Sequence, residues 1–106
     1  MNPVEKTHLE SRIIGSLETC YDPEIPVNIH ELGLVYGINI NDDGDVQITM
    51  TLTTPHCPVA TALPAEVQSK VSTIAGVKSV RVDVVWDPPW DSSRMSEAAR
   101  LQLGML

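Results

Sequence analysis

Residues 46–53 read VQITMTLT, and the unbroken alternation of apolar and polar side chains in this stretch decides the fold. Period-two alternation is typical of a β-strand that buries one face of a sheet and leaves the other face wet. The residues expected to point inward are Val46, Ile48, Met50 and Leu52. The outer face is then polar, and it carries Gln47, Thr49, Thr51 and Thr53.

Two further strands flank this central one. Alternation over residues 34–40 predicts a strand, and the sequence NDDG at residues 41–44 supplies a turn, so an antiparallel hairpin is expected. Residues 78–86 predict a third strand, which is separated from residues 46–53 by a helical segment. Its inward-facing residues are expected to be Val80, Val82, Val84 and Trp86. A helical connection predicts parallel pairing with a right-handed crossover.

The first and last helices are predicted from caps and apolar spacing. The first starts behind an Asn2 N-cap and runs to about Cys20, before the ordered loop that we expect over residues 22–33. The last is a short helix over residues 94–103, capped by Ser93 or Asp91. Its apolar set is Met95, Ala98, Ala99 and Leu103.

The middle helix is predicted from one apolar face and a glycine. The residues on this face are Leu63, Val67, Val71 and Ile74, and Gly76 ends the pattern. Pro64 is awkward, because an interior proline costs about 3 kcal/mol. The regular helix is therefore expected to start near Thr61, or a separate turn holds residues 58–62.

These elements predict a single α+β domain over residues 1–106. It has two layers, the order α-β-β-α-β, a small mixed three-stranded sheet and a short C-terminal helix. The formal net charge of −7 argues against nucleic acid as a partner. No apolar run reaches the roughly 18–20 residues that span a bilayer, so we expect no membrane association and a cytoplasmic location.

Cys57 is the residue best placed for chemistry. It follows a strand and precedes a helix, where unpaired N–H groups and the helix dipole stabilise a thiolate and lower a cysteine pKa below about 8.5. The alternative is a small buried side chain, which is how most free cysteines behave. Cys20 ends an apolar helical stripe and is expected in the core.

Other polar residues leave alternatives open. Asp22 and Glu24 straddle Pro23, so they either face a cationic or metal-bearing partner or cap the following turn. His56 either polarises the neighbouring thiol or points away from it. His8 and His30 have no obvious partner and are expected at the surface. The two tryptophans are expected in the core (Trp86) and over the sheet edge (Trp90).

The sequence argues against an enzyme and against a resident metal. It has no glycine-rich phosphate cradle, no paired catalytic carboxylates and no separate His and Asn/Asp set for a thiol enzyme. A cluster or zinc ion takes about four protein ligands. A chain with one reactive thiol can supply four ligands only as a dimer, with added ligands or together with a partner protein.

Three motifs in order resemble the SufT/PaaD-type iron-sulfur cluster assembly family, whose relatives include eukaryotic cytosolic iron-sulfur assembly targeting factors. They are YDPEIPVNI at residues 21–29, ELGLVY at 31–36 and MTLTTPHCP at 50–58. The tail, VWDPPW at 85–90 followed by MSEAAR at 95–100, looks like the bacterial SUF-system branch.

The resemblance implies the same compact fold and assigns the site residues. The family's acidic signature falls on Asp22, Pro23 and Glu24, and its reactive cysteine on Cys57. The rest of the cysteine loop is Thr54, Pro55, His56 and Pro58. Many relatives have a small or apolar residue where this chain has His56, so a role for that imidazole is specific to this sequence.

The function implied is that of an accessory factor in iron-sulfur cluster assembly or insertion in a SUF-type system. It acts through the Cys57 thiol, a transient metal ligand, and the acidic loop. No permanent cofactor is expected, only a transient or dimer-bridged cluster, and the partners are scaffold, carrier or client proteins and a second copy of the chain. The alternatives are a protein-protein adaptor with a structural cysteine, and a PaaD-like maturation factor of a multicomponent oxygenase.

Overall fold

Three strands form one mixed sheet. The computed structural model describes residues 1–22, 25–53 and 57–104, with the backbone alone over 57–61. The strands are β1 (Val35–Ile40), β2 (Asp45–Met50) and β3 (Ser79–Val84). The central strand β2 pairs antiparallel with β1 and parallel with β3. The predicted pairing and strand directions are therefore confirmed.

The strands end earlier than the alternation predicts. β2 stops at Met50, although the Thr51 N–H still donates to the Leu34 carbonyl at 2.8 Å. β3 stops at Val84, and the neighbouring Val85 N–H donates to the Met50 carbonyl at 2.8 Å. Beyond these bonds the strands separate. Trp86 is consequently 48% exposed, so its predicted core position is wrong.

The first helix, α1 (Pro3–Leu17), begins where its cap predicts. The Asn2 Oδ1 accepts from the Glu5 N–H at 2.8 Å, and the Asn2 side-chain amide donates to the Glu5 carboxylate at 3.1 Å. The first of these bonds satisfies a backbone N–H that has no partner inside the helix, and the second joins the two side chains. The helix ends before Cys20, whose N–H closes a turn on the Leu17 carbonyl at 3.0 Å.

The second helix, α2 (Cys57–Ser72), contains Pro64 in its interior. The predicted start near Thr61 is therefore wrong, and so is a separate turn over residues 58–62. Proline removes one helical hydrogen bond, but the apolar face continues on both sides of it. The buried residues of this face are Leu63, Val67 and Val71. Their burial against the sheet offsets the lost bond.

The C-terminal segment forms two short helical pieces instead of one helix over residues 94–103. A 3₁₀ turn (Ser92–Arg94) is capped by Asp91, and α3 (Glu97–Gln102) is capped by Ser96. The extended backbone of Met95 separates them. Met95 and Ala99 are buried, whereas Ala98 is exposed, contrary to its predicted apolar role.

Both long helices cover one face of the sheet, and the apolar core lies between these layers. All four predicted inward residues of the central stretch, Val46, Ile48, Met50 and Leu52, are buried. The opposite face is polar, and there the Gln47 amide donates to the Asp83 carboxylate at 2.7 Å. Thr51 is the exception on this polar face, because it is 1% exposed.

Within the three described ranges, no helix has the length and apolar character needed to cross a membrane. The element order is α-β-β-α-β followed by a short C-terminal helix, as predicted.

Candidate functional site

The loop over residues 22–33, called the acidic loop below, begins at Asp22, and Asp22 is buried. Its side chain is almost fully enclosed, with the residue 3% exposed. One carboxylate oxygen accepts the Ile25 backbone N–H at 3.2 Å, which caps the turn that follows. This bond is the capping contact that one of the two alternatives predicts, and contact of the acidic residues with a cationic or metal-bearing partner stays a prediction.

Thr53 connects the acidic loop to the end of the central strand. Its hydroxyl donates to the other Asp22 carboxylate oxygen at 3.2 Å. Thr53 is the last described residue before positions 54–56, and α2 resumes at Cys57. The structure therefore brings Asp22 to the segment that leads into the cysteine loop. The alternation of residues 46–53 places Thr53 only on the outer face of a strand, because a contact across 31 residues leaves no local pattern.

The described part of the loop before β1, residues 25–34, is held in place by backbone hydrogen bonds, as the prediction of an ordered loop requires. The Ile29 N–H donates to the Cys20 carbonyl at 2.8 Å, and the Leu34 N–H donates to the Ile29 carbonyl at 3.1 Å. The side chains that anchor it in the core are Val27, Ile29 and Leu32. These contacts hold the start of the loop in a fixed position beside Thr53.

Cys57 is the first residue of α2, so its backbone lies at the strand-to-helix connection that the sequence predicts. An N-terminal helix position of this kind favours negative charge. The remaining predicted site residues, Pro23, Glu24, Thr54, Pro55 and His56, lie outside the described residues. The side chains of Cys57 and Pro58 lie outside them as well, so their assigned roles stay predictions.

Cys20 is a core residue and not a second reactive thiol. It is 0% exposed, and its Sγ donates to the Ser16 carbonyl at 3.7 Å. Burial raises the pKa of the Cys20 thiol above its ordinary value of 9.0, and the nearby Glu66 carboxylate raises it further. The thiol therefore stays protonated at neutral pH, which leaves Cys57 as the chain's candidate thiolate.

The two described histidines have different surroundings. His8 is exposed on α1, as predicted. His30 is only half-exposed, and its Nδ1 lies 3.8 Å from a carboxylate oxygen of Glu31. This partly exposed position agrees with the predicted surface location, and the turn at residues 28–31 brings the imidazole near the carboxylate without a hydrogen bond between them.

The C-terminal segment packs against the acidic loop. Trp90 is half-buried, and its indole Nε1 donates to the Leu32 carbonyl at 2.7 Å. Gly33, with φ of +77°, lies so close to the Arg94 backbone that a Cβ there would be 2.8 Å from its carbonyl carbon. Trp90 therefore attaches the tail to the loop beside β1.

Sequence comparison finds relatives over nearly the whole chain. A family model described as "Iron-sulfur cluster assembly protein" matches residues 10–84. An Fe-S protein maturation auxiliary factor of Porphyromonas gingivalis is 47% identical over 97 residues, which is 92% of each chain. The Fe-S protein maturation auxiliary factor SufT of Staphylococcus aureus is 37% identical, over 79% of this chain and 96% of that protein.

A longer protein and a solved structure are also similar to this chain. An iron-sulfur cluster carrier protein of Synechocystis is 31% identical over 81 residues, which is 76% of this chain and 23% of the carrier. The crystal structure of a domain of unknown function from Bacillus anthracis superimposes with a TM-score of 0.89 at 37% identity. That match covers 99% of this chain and all of the other, so the two share the fold.

Proposed function

Since this chain belongs to the iron-sulfur cluster assembly protein family, we propose that it is a non-catalytic accessory factor that helps to insert iron-sulfur clusters into client proteins. A role in iron-sulfur cluster assembly agrees with the names of its relatives, which are maturation factors and carriers. The finer proposal is that the Cys57 thiolate contacts iron or sulfur of the cluster during delivery in a SUF-type system.

One observation carries this proposal: the hydrogen bond from Thr53 to Asp22 at 3.2 Å. It joins the two motifs, far apart in the sequence, that the family resemblance marks as functional. The hydrogen bond holds Asp22 next to Thr53, and only positions 54–56 lie between Thr53 and the start of α2 at Cys57. This contact supports the proposal that the two motifs contribute to one site near the N-terminal end of α2.

The cluster is cargo in this account. The sequence has two cysteines, and the buried Cys20 has a raised pKa and no exposure. One available thiolate falls short of the four ligands that a cluster normally takes. We therefore propose that Cys57 shares a cluster with a scaffold, a carrier, a client or a second copy of the chain, and that it releases the cluster when the client supplies its own ligands.

The test of this function uses cells that lack the chain. We expect the specific activity of iron-sulfur enzymes to fall in such cells, to recover when the chain is returned, and to be unchanged for an enzyme without a cluster. Normal activity of every iron-sulfur enzyme measured, under iron limitation as well, would contradict the proposal.

The second candidate is an adaptor in which the loops only dock partner proteins. The burial of Asp22 and its use in internal hydrogen bonds favour a structural role for at least that residue. Anaerobic reconstitution with iron and sulfide separates the candidates. We expect cluster absorbance and bound iron in the wild type and a large loss in Cys57→Ser. Equal iron in both proteins would favour the adaptor.

A further inference from the structure

A histidine and two glutamates meet where two chain segments come together. Glu18 is the C-cap of α1, and His30 and Glu31 lie in the turn before β1. One ligand atom from each of these side chains can be chosen so that all three atoms lie within 4.8 Å of one another. This cluster is separate in the sequence from Cys57 and from the Asp22–Thr53 contact.

The ring nitrogen of His30 faces this cluster without a hydrogen bond. His30 Nδ1 is buried as an atom, although the ring as a whole is 38% exposed, and it has no hydrogen-bond partner among the described residues. The Glu31 oxygen 3.8 Å away is too distant for a hydrogen bond. A buried nitrogen left in this state is unfavourable, and a bound cation would satisfy it through its lone pair.

Glu31 is held in one orientation by its neighbours. Its backbone N–H donates to the Asn28 side-chain oxygen at 2.9 Å, and its carbonyl accepts the Ser96 N–H at 2.8 Å. The Ser96 hydroxyl also donates to the Oε2 of Glu31, which leaves Oε1 directed toward His30. Hydrogen bonds of this kind orient the carboxylate ligands of metal ions.

The charge around the cluster also favours a cation. Glu18 lies at the C-terminal end of α1, where the helix dipole adds negative potential to its carboxylate. Within the part of the chain that the structure describes, no lysine or arginine forms an ion pair with Glu18 or Glu31. The Lys70 amine, which reaches the neighbouring Thr19, is bonded to Glu66 and to Thr19.

We propose that Glu18, His30 and Glu31 bind a divalent transition-metal cation of the zinc type, with water as the fourth ligand. One imidazole nitrogen and two carboxylate oxygens match the ligands that zinc takes in proteins. Magnesium and calcium prefer sites built from oxygen alone. The bound ion would join the end of α1 to the loop before β1, and through Ser96 it would also strengthen the attachment of α3.

The test is calorimetric titration of the full chain with Zn²⁺ in a Cys57→Ser background, which removes the competing thiol. We expect one Zn²⁺ per chain, a higher Tm with the metal bound, and no displacement by a tenfold excess of Mg²⁺. His30→Ala and Glu18→Gln should each weaken binding at least about tenfold. Glu18 is exposed, so its substitution leaves the fold intact.

Matched controls come from the exposed face of α1. His8→Ala and Glu10→Gln remove the same side-chain chemistry at exposed positions and should leave Zn²⁺ affinity unchanged. Absence of binding at millimolar Zn²⁺, or equal affinity in His30→Ala and His8→Ala, would overturn the proposal. Every variant in this titration carries Cys57→Ser. Either result is therefore independent of the role proposed for Cys57 in cluster assembly.

Discussion

The two cysteines of this chain show how position alone separates a structural thiol from a candidate functional one. Cys20 is enclosed by the core, and burial raises the pKa of its thiol. Cys57 begins α2, where the helix dipole favours the thiolate. Because burial raises the pKa of the Cys20 thiol, Cys20 forms a thiolate only at a higher pH than an ordinary cysteine does.

The first prediction compares the rates at which an alkylating reagent modifies the two thiols. At about pH 7.5, the reagent should modify Cys57 in the folded protein. It should modify Cys20 only after the protein unfolds. Mass spectrometry of the two cysteine peptides measures both rates, and Cys57→Ser provides the Cys20 rate alone. Equal rates, or protection of Cys57 until the protein unfolds, would refute the reactive-thiol assignment.

The second prediction concerns glycine at a close backbone contact. Gly33→Ala should destabilise the protein by about 2 kcal/mol or more, because φ is positive there and the new Cβ would collide with the Arg94 backbone. Gly15→Ala is the matched control, since its Cβ meets nothing within 4 Å in α1 and should stabilise the helix by about 0.5–1 kcal/mol. Urea denaturation measures both changes, and a neutral Gly33→Ala would show that the tail is not packed on the loop.

At the scale of elements, local sequence patterns predict what an element is better than where it ends. The alternation over residues 46–53 predicts the central strand and its buried side, and the Asn2 cap predicts the start of α1. The end of β3 depends on where its partner strand diverges, which no pattern near Trp86 records. Pro64 misled the prediction of α2 because tertiary burial outweighed a local preference.

The candidate site is harder to predict than the fold, since its parts meet across long sequence separations. Asp22 was identified from its motif, but its Thr53 partner lies 31 residues away. Glu31 and Ser96 are 65 residues apart. Such contacts are determined by the packing of loops on the sheet, and a sequence pattern records only the loops themselves.

The third prediction measures the contact that joins the two loops. Thr53→Val should cost about 1–2 kcal/mol, because it removes a hydroxyl that donates to a buried carboxylate. A double-mutant cycle with Asp22→Asn should give a coupling of about 1 kcal/mol. The control is Thr49→Val in β2, which should stay within about 0.5 kcal/mol of wild type. A coupling near zero would mean that the loops are positioned by other contacts.

The burial of Asp22 also changes the design of experiments on the acidic loop. The sequence alone predicts that replacing Asp22 and Glu24 by alanine costs no more than about 1–2 kcal/mol. Asp22→Ala would remove the carboxylate oxygens that accept hydrogen bonds from the Ile25 N–H and from the Thr53 hydroxyl. A larger loss of stability is therefore expected. Protein abundance must therefore be measured beside any loss of activity in that variant.

The whole molecule is a small two-layer scaffold whose loops meet at one end of the sheet. The acidic loop contacts the segment after β2 through Asp22 and the tail through Leu32 and Glu31. These hydrogen bonds hold the described part of the loop against the segment after β2 and against the tail. The C-terminal residues also belong to the fold, since Met95 and Ala99 are buried in the core.

The central claim is that the Cys57 thiol participates in cluster delivery, and client maturation tests it most directly. In cells that produce only Cys57→Ala, we expect the specific activity and bound iron of a client iron-sulfur enzyme to fall toward the level of cells lacking the chain. Abundance of the variant and its capture of partners should stay normal, because Cys57 is the first residue of α2 and its replacement leaves the helix interior unchanged. Client activity at the wild-type level, with the variant at normal abundance, would contradict the account.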